Sequence, residues 1–469
     1  MSWLFLLVHL TVAIIATGHL ALRRKRPTVQ LGWVFALFFL PLLGLFAYMA
    51  FGTDRLLLGR LVRRHAARVR DAGSFAIPEA FHASAAHMQH MDSCVRGLGR
   101  LNHFTPTLGN RIEALPDAET FYPVLEREIR AAKDHIWLQF YVWRSDDTGR
   151  AMIELLVDAI RRGVTVRLLV DEIGSGHTRK IVFEPFIEAG GNFSWTTTLF
   201  PRRNRWFINL RNHRKIVVVD GRIAFTGGLN IGDEYIKGMN GNRWHDLHVS
   251  AEGPVVRQLA AVFAEDWYFA TEEHLSFASE RPVQAADGCL VQVIAGGPER
   301  MPSANGLSIA GIVHAARHRL LLSTPFLAPD DSFLDALELA VARGVQVDLL
   351  VSAETDMGLM AIIGHSFFPR LIDAGVQVYE YPRDIHHDKI MLIDDDWVLV
   401  GSINLDERSF HLNYEVALLL RDPALYQRID AIAKGHLGDA RRWTAEAFAR
   451  RPLSRRLIEG MLRMLSPVM

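Results

Sequence analysis

The sequence predicts an α/β protein of two pseudo-symmetric halves with mostly parallel sheets, preceded by an N-terminal two-helix transmembrane hairpin. Three observations carry that expectation. Two runs free of Asp, Glu, Lys and Arg open the chain. A strand–helix–strand–helix order then occurs twice. Each copy leads to the pattern His-x-Lys-x-x-x-x-Asp, first as "HRKIVVVD" and later as "HDKIMLID".

The first apolar run is Ser2 to Leu22 and the second is Leu31 to Phe51, with Arg23, Arg24, Lys25, Arg26 and Pro27 between them. Each is close to the ~20 residues that cross a bilayer core as a helix. A cleaved signal peptide carries its basic cluster ahead of the apolar run, and here it follows. The expectation is therefore a hairpin over residues 1–52, with spans at about 2–22 and 31–51, in which Pro41 kinks the second helix or makes it re-entrant. Six arginines (Arg55, Arg60, Arg63, Arg64, Arg68 and Arg70) follow the second span, against four basic residues in the connecting loop. That balance tips the large domain toward the cytoplasm. Residues 53–110 read as a basic, partly helical connector. Its Arg-rich start suits either acidic lipid headgroups or a solvated helix face.

The halves are expected at 111–285 and 286–469. "HIWLQFYVW" and "RLLLSTPFL" read as opening strands. Each is followed by a helical segment ending in Gly, "GRAMIELLVDAIRRG" and "DSFLDALELAVARG". Then come the β-rich runs "VTVRLLVDE" and "VQVDLLVSA", and the short helices "EPFIEAGG" and "FPRLIDAGV". The motif follows in each half without a change of register. His213 and His387, Lys215 and Lys389, Asp220 and Asp394, Gly227 and Gly401, and Asn230 and Asn404 are each 174 residues apart. An acid follows each motif, Asp246 in "HDLHV" and Glu415 in "YEVAL".

Strand periodicity fixes the local geometry. His and Lys at i and i+2 share one side of a strand. The Asp stands at the strand end, placed to pair a basic group or cap the turn. Gly227, Gly228, Gly401 and Ser402 allow close approach of a ligand to the backbone. Folding one half onto the other brings two His and two Lys to one centre, with Asn230 and Asn404 at its rim. Two ammonium groups suit a phosphodiester anion. Two imidazoles suit a two-step displacement, one attacking phosphorus and the other moving the proton. Asp246 and Glu415 are the candidates to fix the ring tautomers from the second nitrogen.

These residues resemble the paired HKD motifs of the phospholipase D superfamily. The likeness extends to bacterial cardiolipin synthases through the hairpin, "TPFLAPDDS", "NYEVALLL" and the tail "RPLSRRLIEGMLRMLSPVM". It implies two phospholipase D-like halves and a reaction in which two phosphatidylglycerols give cardiolipin and glycerol through a phosphatidyl-histidine, without metal or nucleotide. It also implies His213 as nucleophile, His387 as general acid and base, and Lys215 and Lys389 on the phosphoryl oxygens. Asn230 and Asn404 assist, with Asp220 and Asp394 as supports. Hydrolysis by the same site, or phosphatidylethanolamine as donor, are the alternatives. Lys+Arg and Asp+Glu balance at 52 each, which argues against nucleic acid as partner.

The halves differ ahead of the motif. The first carries extra residues around "TTTLFPRRNRWFINLR", where Arg202, Arg203, Arg205, Trp206 and Arg211 form a candidate lipid-contact loop. His386 points away from His387 and is not expected to be catalytic. With Asp388 it offers too few ligands for a metal, so no metal site is expected. Asp406 and Arg408 suit a local helix cap or the shaping of a pocket.

Overall fold

The computed structural model describes residues 3–22, 27–48, 75–176, 178–196, 210–239, 241–276, 288–298, 303–355 and 358–464. The chain divides into two compact units, residues 1–59 and 60–469.

The first unit is a helical hairpin of α1 (Trp3–Ala21), α2 (Pro27–Phe39) and α3 (Leu43–Ala47). Ala13, Ala16, Leu20, Leu37 and Tyr48 form its small core. His19 Nδ1 meets Tyr48 Oη at 2.8 Å, and Gln30 Nε2 donates to Leu20 O at 3.2 Å. The second expected span is interrupted between α2 and α3, where Pro41 withholds an N–H and Leu42 adopts φ 61°. Among the described residues no helix is long and apolar enough to cross a membrane. The spans expected at 2–22 and 31–51 thus appear as a hairpin whose second arm is broken. The Arg-rich start of the connector lies outside the described residues.

The second unit holds both halves. The first half contributes β1 (Thr107–Leu115), β2 (His135–Phe140), β3 (Thr165–Val170), β4 (Asn192–Trp195), β5 (Arg211–Asn212), β6 (Ile216–Val219), β7 (Ile223–Gly227), β8 (Trp244–His245) and β9 (His248–Glu252). The second contributes β10 (Cys289–Gly296), β11 (Arg319–Thr324), β12 (Leu327–Ala328), β13 (Gln346–Ser352), β14 (Gln377–Tyr381), β15 (Ile385–His386), β16 (Ile390–Ile393), β17 (Trp397–Gly401), β18 (Leu405–Asp406), β19 (Asn413–Arg421) and β20 (Arg441–Arg442). One continuous sheet runs β4-β3-β2-β6-β7-β9-β1-β10-β19-β17-β16-β11-β13-β14-β20. It reads almost the same from either end, with β1 and β10 antiparallel at the junction.

The expectation of mostly parallel sheets needs correction. Only β2–β3–β4 and β11–β13–β14 are parallel within this path, and its other pairings are antiparallel. The reason is the motif itself. Its strand ends in a tight turn at Asp220–Gly221 or Asp394–Asp396, which returns the chain at once as β7 or β17. A connection this short permits only an antiparallel partner, because parallel pairing needs a crossover.

Helices cover both faces of the sheet. Asp147–Arg161 and Asp331–Ala342 occupy equivalent places, and each is capped by an Asp, Asp146 or Asp330. The helix Pro254–Thr271 is buried nearly all round and joins β6, β10, β17 and β19 in one central core, the mark of an interior helix. Pro423–Asp439 is its counterpart after the second motif. β6 and β16 are buried at every position, so their apolar runs have no polar alternation. The part of the connector after Phe75 belongs to this body. Met88, Met91, Val95 and Leu98 pack into the core of the second half.

Candidate active site

Two short parallel pairings bring the halves together. β5 pairs with β19 through Arg211↔Asn413 and Asn212↔Tyr414, and the next amide, His213 N, donates to Tyr414 O at 2.9 Å. β8 pairs with β15 through Trp244↔Ile385 and His245↔His386, and His387 N donates to His245 O at 2.7 Å. In each case the residue after the pairing is a motif His on one strand and an acid on the other. The register therefore delivers His213 to Glu415 and His387 to Asp246.

His213 Nδ1 lies 2.9 Å from Glu415 Oε2 and 3.0 Å from Ser402 O. His387 Nδ1 lies 2.5 Å from Asp246 Oδ2. Each ring is thus held by a carboxylate from the other half, which leaves Nε2 as the nitrogen able to meet a substrate. Tyr141 packs edge-on to His213 at 4.8 Å between centroids, and Trp244 lies at the same separation from His387. All four of these charged or ionisable partners are at least nine-tenths buried.

The lysines line the same side, as strand periodicity requires. Lys215 Nζ donates to His213 O at 2.7 Å. Lys389 Nζ donates to His387 O and to Asp246 Oδ2, the latter at 3.2 Å, and lies 2.7 Å from His387 Nδ1. Burial pushes Lys215 down to about 7, with Glu415 opposing and Lys389 reinforcing the shift. Burial also holds His213 below its ordinary value, against the pull of Glu415, and the charges of Lys215 and Lys389 add to the depression. Burial alone would raise Asp246, but Lys389 and His387 outweigh it and hold the carboxyl down to about 2. Charges from both halves therefore act on each other within one centre.

The motif aspartates are placed apart from the rings. Asp220 takes the backbone N–H groups of Lys133, Asp134 and His135 at 2.9–3.0 Å. Asp394 takes those of Arg317 and His318 at 3.0 and 2.8 Å, and His90 Nε2 at 2.7 Å. Both also adopt a left-handed backbone, φ 51° and 54°, which Asp tolerates better than most residues. One residue type thus makes the turn and anchors the start of the neighbouring strand.

Asn230 and Asn404 are buried, not at a rim. Asn230 Nδ2 donates to Tyr235 Oη at 3.0 Å and its Oδ1 accepts from Val142 N at 3.0 Å. Asn404 Oδ1 has no hydrogen-bond partner among the described residues. Gly228 is required by proximity, since a Cβ there would stand 1.9 Å from Asp246 Oδ1. Its counterpart Ser402 donates to Glu415 Oε2 at 2.5 Å. A Cβ at Gly227 would meet Leu247 O at 2.5 Å, and one at Gly401 would meet Val416 O at 2.4 Å. Asp406 caps the helix Glu407–His411 by accepting from Ser409 N at 2.6 Å. Arg211 Nη1 donates to Leu210 O at 3.0 Å, while Arg202, Arg203, Arg205 and Trp206 lie outside the described residues.

Sequence reasoning missed the support behind His213. Arg214 Nη1 donates to Asp266 Oδ1 at 2.8 Å, and Asp266 Oδ2 takes Asn212 Nδ2 at 2.8 Å and Gln139 Nε2 at 2.7 Å. Asp171 Oδ2 accepts from Asn212 N at 2.9 Å. The available signal was the acidic pair Glu265 and Asp266 within the otherwise apolar and aromatic helix run "AAVFAEDWYFA".

A family model described as "Cardiolipin synthase, PLD-like domain" matches residues 125–267 and 309–437. A second, "Phospholipase_D-nuclease N-terminal", matches residues 11–52. Cardiolipin synthase 2 of Bacillus cereus is 32% identical over 457 residues, covering 96% of this chain and 88% of that protein. Cardiolipin synthase A of Pseudomonas putida is 32% identical over 478 residues, covering 100% of this chain and 98% of that protein. Among solved structures, the phosphatidylserine synthase of Haemophilus influenzae Rd KW20 shares the fold, with a TM-score of 0.59 at 14% identity, over 81% of this chain and 100% of that one.

Proposed function

The chain belongs to the cardiolipin synthase family with PLD-like domains, and from that premise we propose that it transfers a phosphatidyl group from one phosphatidylglycerol to another, giving cardiolipin and glycerol. The observation that carries this reading is the reciprocal pairing of two imidazoles with two carboxylates across the halves. Such a pair provides both a nucleophile and a proton carrier, which a two-step exchange requires and a single displacement does not.

In the first step His213 Nε2 attacks the phosphorus. The bond to the glycerol oxygen breaks, and His387 Nε2 gives that oxygen its proton. In the second step His387 takes the proton from a hydroxyl of the incoming phosphatidylglycerol. That oxygen then displaces His213 from phosphorus. Glu415 stabilises the positive charge on the His213 ring, and Asp246 does so for His387. Lys215 and Lys389 stand where they can hold the non-bridging oxygens as charge builds on them. Asp220 and Asp394 act through the strands they anchor. One phosphodiester replaces another, so the exchange calls on no nucleotide.

The N-terminal hairpin is read as the membrane anchor. Leu7, Ile14, Ile15, Phe35, Phe39 and Phe46 turn outward on it, and apolar surface of that kind suits lipid. The catalytic body is assigned to the cytoplasmic side of the inner membrane by the arginines after the second span.

The test is to incubate the purified chain with phosphatidylglycerol vesicles and follow lipids and glycerol together. Cardiolipin with equimolar glycerol is the expected result. Phosphatidic acid in place of cardiolipin makes the chain a hydrolase. Release of the chain from membranes by alkaline carbonate would remove the anchor assignment.

A further inference from the structure

The strands that carry the two histidines have rear faces of different chemistry. Neighbouring positions on a strand point to opposite sides, so residues 386 and 388 face away from His387 and Lys389. The equivalent positions in the first half are Asn212 and Arg214. There the guanidinium supplies a buried cation. It donates to Asp266 Oδ1 at 2.8 Å, Glu415 O at 3.1 Å and Gly296 O at 3.2 Å. Asp266 belongs to the helix Pro254–Thr271, so this ion pair ties that helix to the His213 strand.

The second half places His386 and Asp388 on the rear face, and the counterpart helix Pro423–Asp439 adds His436. The Asp388 carboxyl stands 3.9 Å from His386 Nε2 and 3.8 Å from His436 Nδ1. Both separations are too long for hydrogen bonds. One donor atom from each of the three residues lies within 4.8 Å of the other two. His386 and Asp388 are buried, and His386 Nδ1 and His436 Nδ1 are buried atoms without a hydrogen-bond partner among the described residues. Ser323 Oγ anchors the other nitrogen of His386 at 2.5 Å. Where the first half joins strand to helix by a cation on a carboxylate, the second has three donors standing apart.

We propose that His386, Asp388 and His436 bind one divalent transition-metal ion, Zn(II) by the chemistry of the donors, on the side of the strand away from the catalytic rings. Two imidazoles and a carboxylate are a set that zinc accepts and that Mg²⁺ and Ca²⁺, which take oxygen ligands, do not. Zinc holds such ligands at about 2.1 Å, which places neighbouring donors about 3.4 Å apart. The gap from His436 Nδ1 to Asp388 therefore closes by about 0.4 Å on capture, and His386 offers Nδ1, since Ser323 holds its Nε2. The ion ties Pro423–Asp439 to the His387 strand, as Arg214 and Asp266 tie the earlier helix to the His213 strand. It takes no part in the phosphoryl chemistry, and the proposal does not depend on which lipid is the substrate.

The full-length chain, stripped with a chelator in detergent, is incubated with Zn(II), desalted and analysed for bound metal. Wild type is expected to retain one zinc per chain and to unfold at a higher temperature with zinc than without. Asp388→Asn and His436→Gln are expected to retain none and to show no shift, while His314→Gln, a change at an exposed ring, retains the metal. Failure of wild type to retain zinc, or retention by either folded variant, overturns the proposal. His436 is partly exposed, so His436→Gln, checked by circular dichroism, decides the matter if Asp388→Asn does not fold.

Discussion

Behind His213 stands a closed ion pair, Arg214 with Asp266, while behind His387 stand two rings and a carboxylate. In front, the halves match closely. Each His meets an acid of the other half through Nδ1, and each Lys reaches the carbonyl of its own His. The difference separates two kinds of constraint. In the proposed exchange the front faces both handle the same phosphoryl group, so their donors agree. The rear faces need only hold a strand against a helix, and more than one polar solution does that.

The sharpest break of the front symmetry is removal of a ring. His213→Ala and His387→Ala are each expected to lower turnover by about 10⁴-fold or more, since nucleophile and proton carrier act as a unit. Labelled donor, quenched with denaturant at alkaline pH, should mark the peptide bearing His213. Label on the His387 peptide instead reverses the roles of the halves.

The carboxylates come next. Asp246→Asn and Glu415→Gln should each cost about 10²–10⁴ in kcat by releasing the ring tautomer, and similar losses would show that the crossing is functionally even. The flanking residues are uneven. Gly228→Ser drives a side chain into Asp246 and should approach the loss of Asp246→Asn, whereas Ser402→Gly removes a hydroxyl that bonds Glu415 and the Val416 backbone and should cost about tenfold. Equal losses in this second pair would contradict the packing difference.

The rear faces are compared by stability. Asp266→Ala leaves Arg214 buried without its ion-pair partner and should lower unfolding free energy by about 3–5 kcal/mol. Asp388→Asn in chelator should change it by less than about 1 kcal/mol, because no protein cation is orphaned. Denaturant titration of the two variants measures the contrast.

The smallest effect is on pH. His213 must be unprotonated to attack, and its value lies below the ordinary one, so activity should fall on acidification only below about 6.5. Lys215 must be protonated to hold phosphate, and burial pushes it down to about 7, so kcat/KM should decline as pH rises past that value. A profile flat from neutral to pH 9 would show that Lys215 keeps its proton in the free enzyme.

Much of the site was legible because strand periodicity is local. His-x-Lys fixes two side chains on one face whatever lies around it, and the 174-residue offset showed that the pattern was used twice. The role of the aspartates at a turn was also open to reading, since position and residue type agreed. The sheet was misread because helices between strands suggested crossovers throughout, when the motif strands turn back directly. Asn230 and Asn404 were placed at a rim because an amide in a loop after a strand says nothing of its depth. Tyr141, Trp244 and Asp266 were missed because their importance comes from neighbours far along the chain.

The sequence by itself determined the candidate catalytic residues, their duplication and the orientation of each His–Lys pair, because these follow from alternation along a single strand. Only the tertiary structure decided that the carboxylates cross over. His213 and Glu415 are 202 residues apart and His387 and Asp246 are 141 apart. Local geometry does not choose between an acid of the same half and one of the other. That choice is made by two short parallel pairings, β5 with β19 and β8 with β15, whose register sets each His beside the acid of the opposite strand.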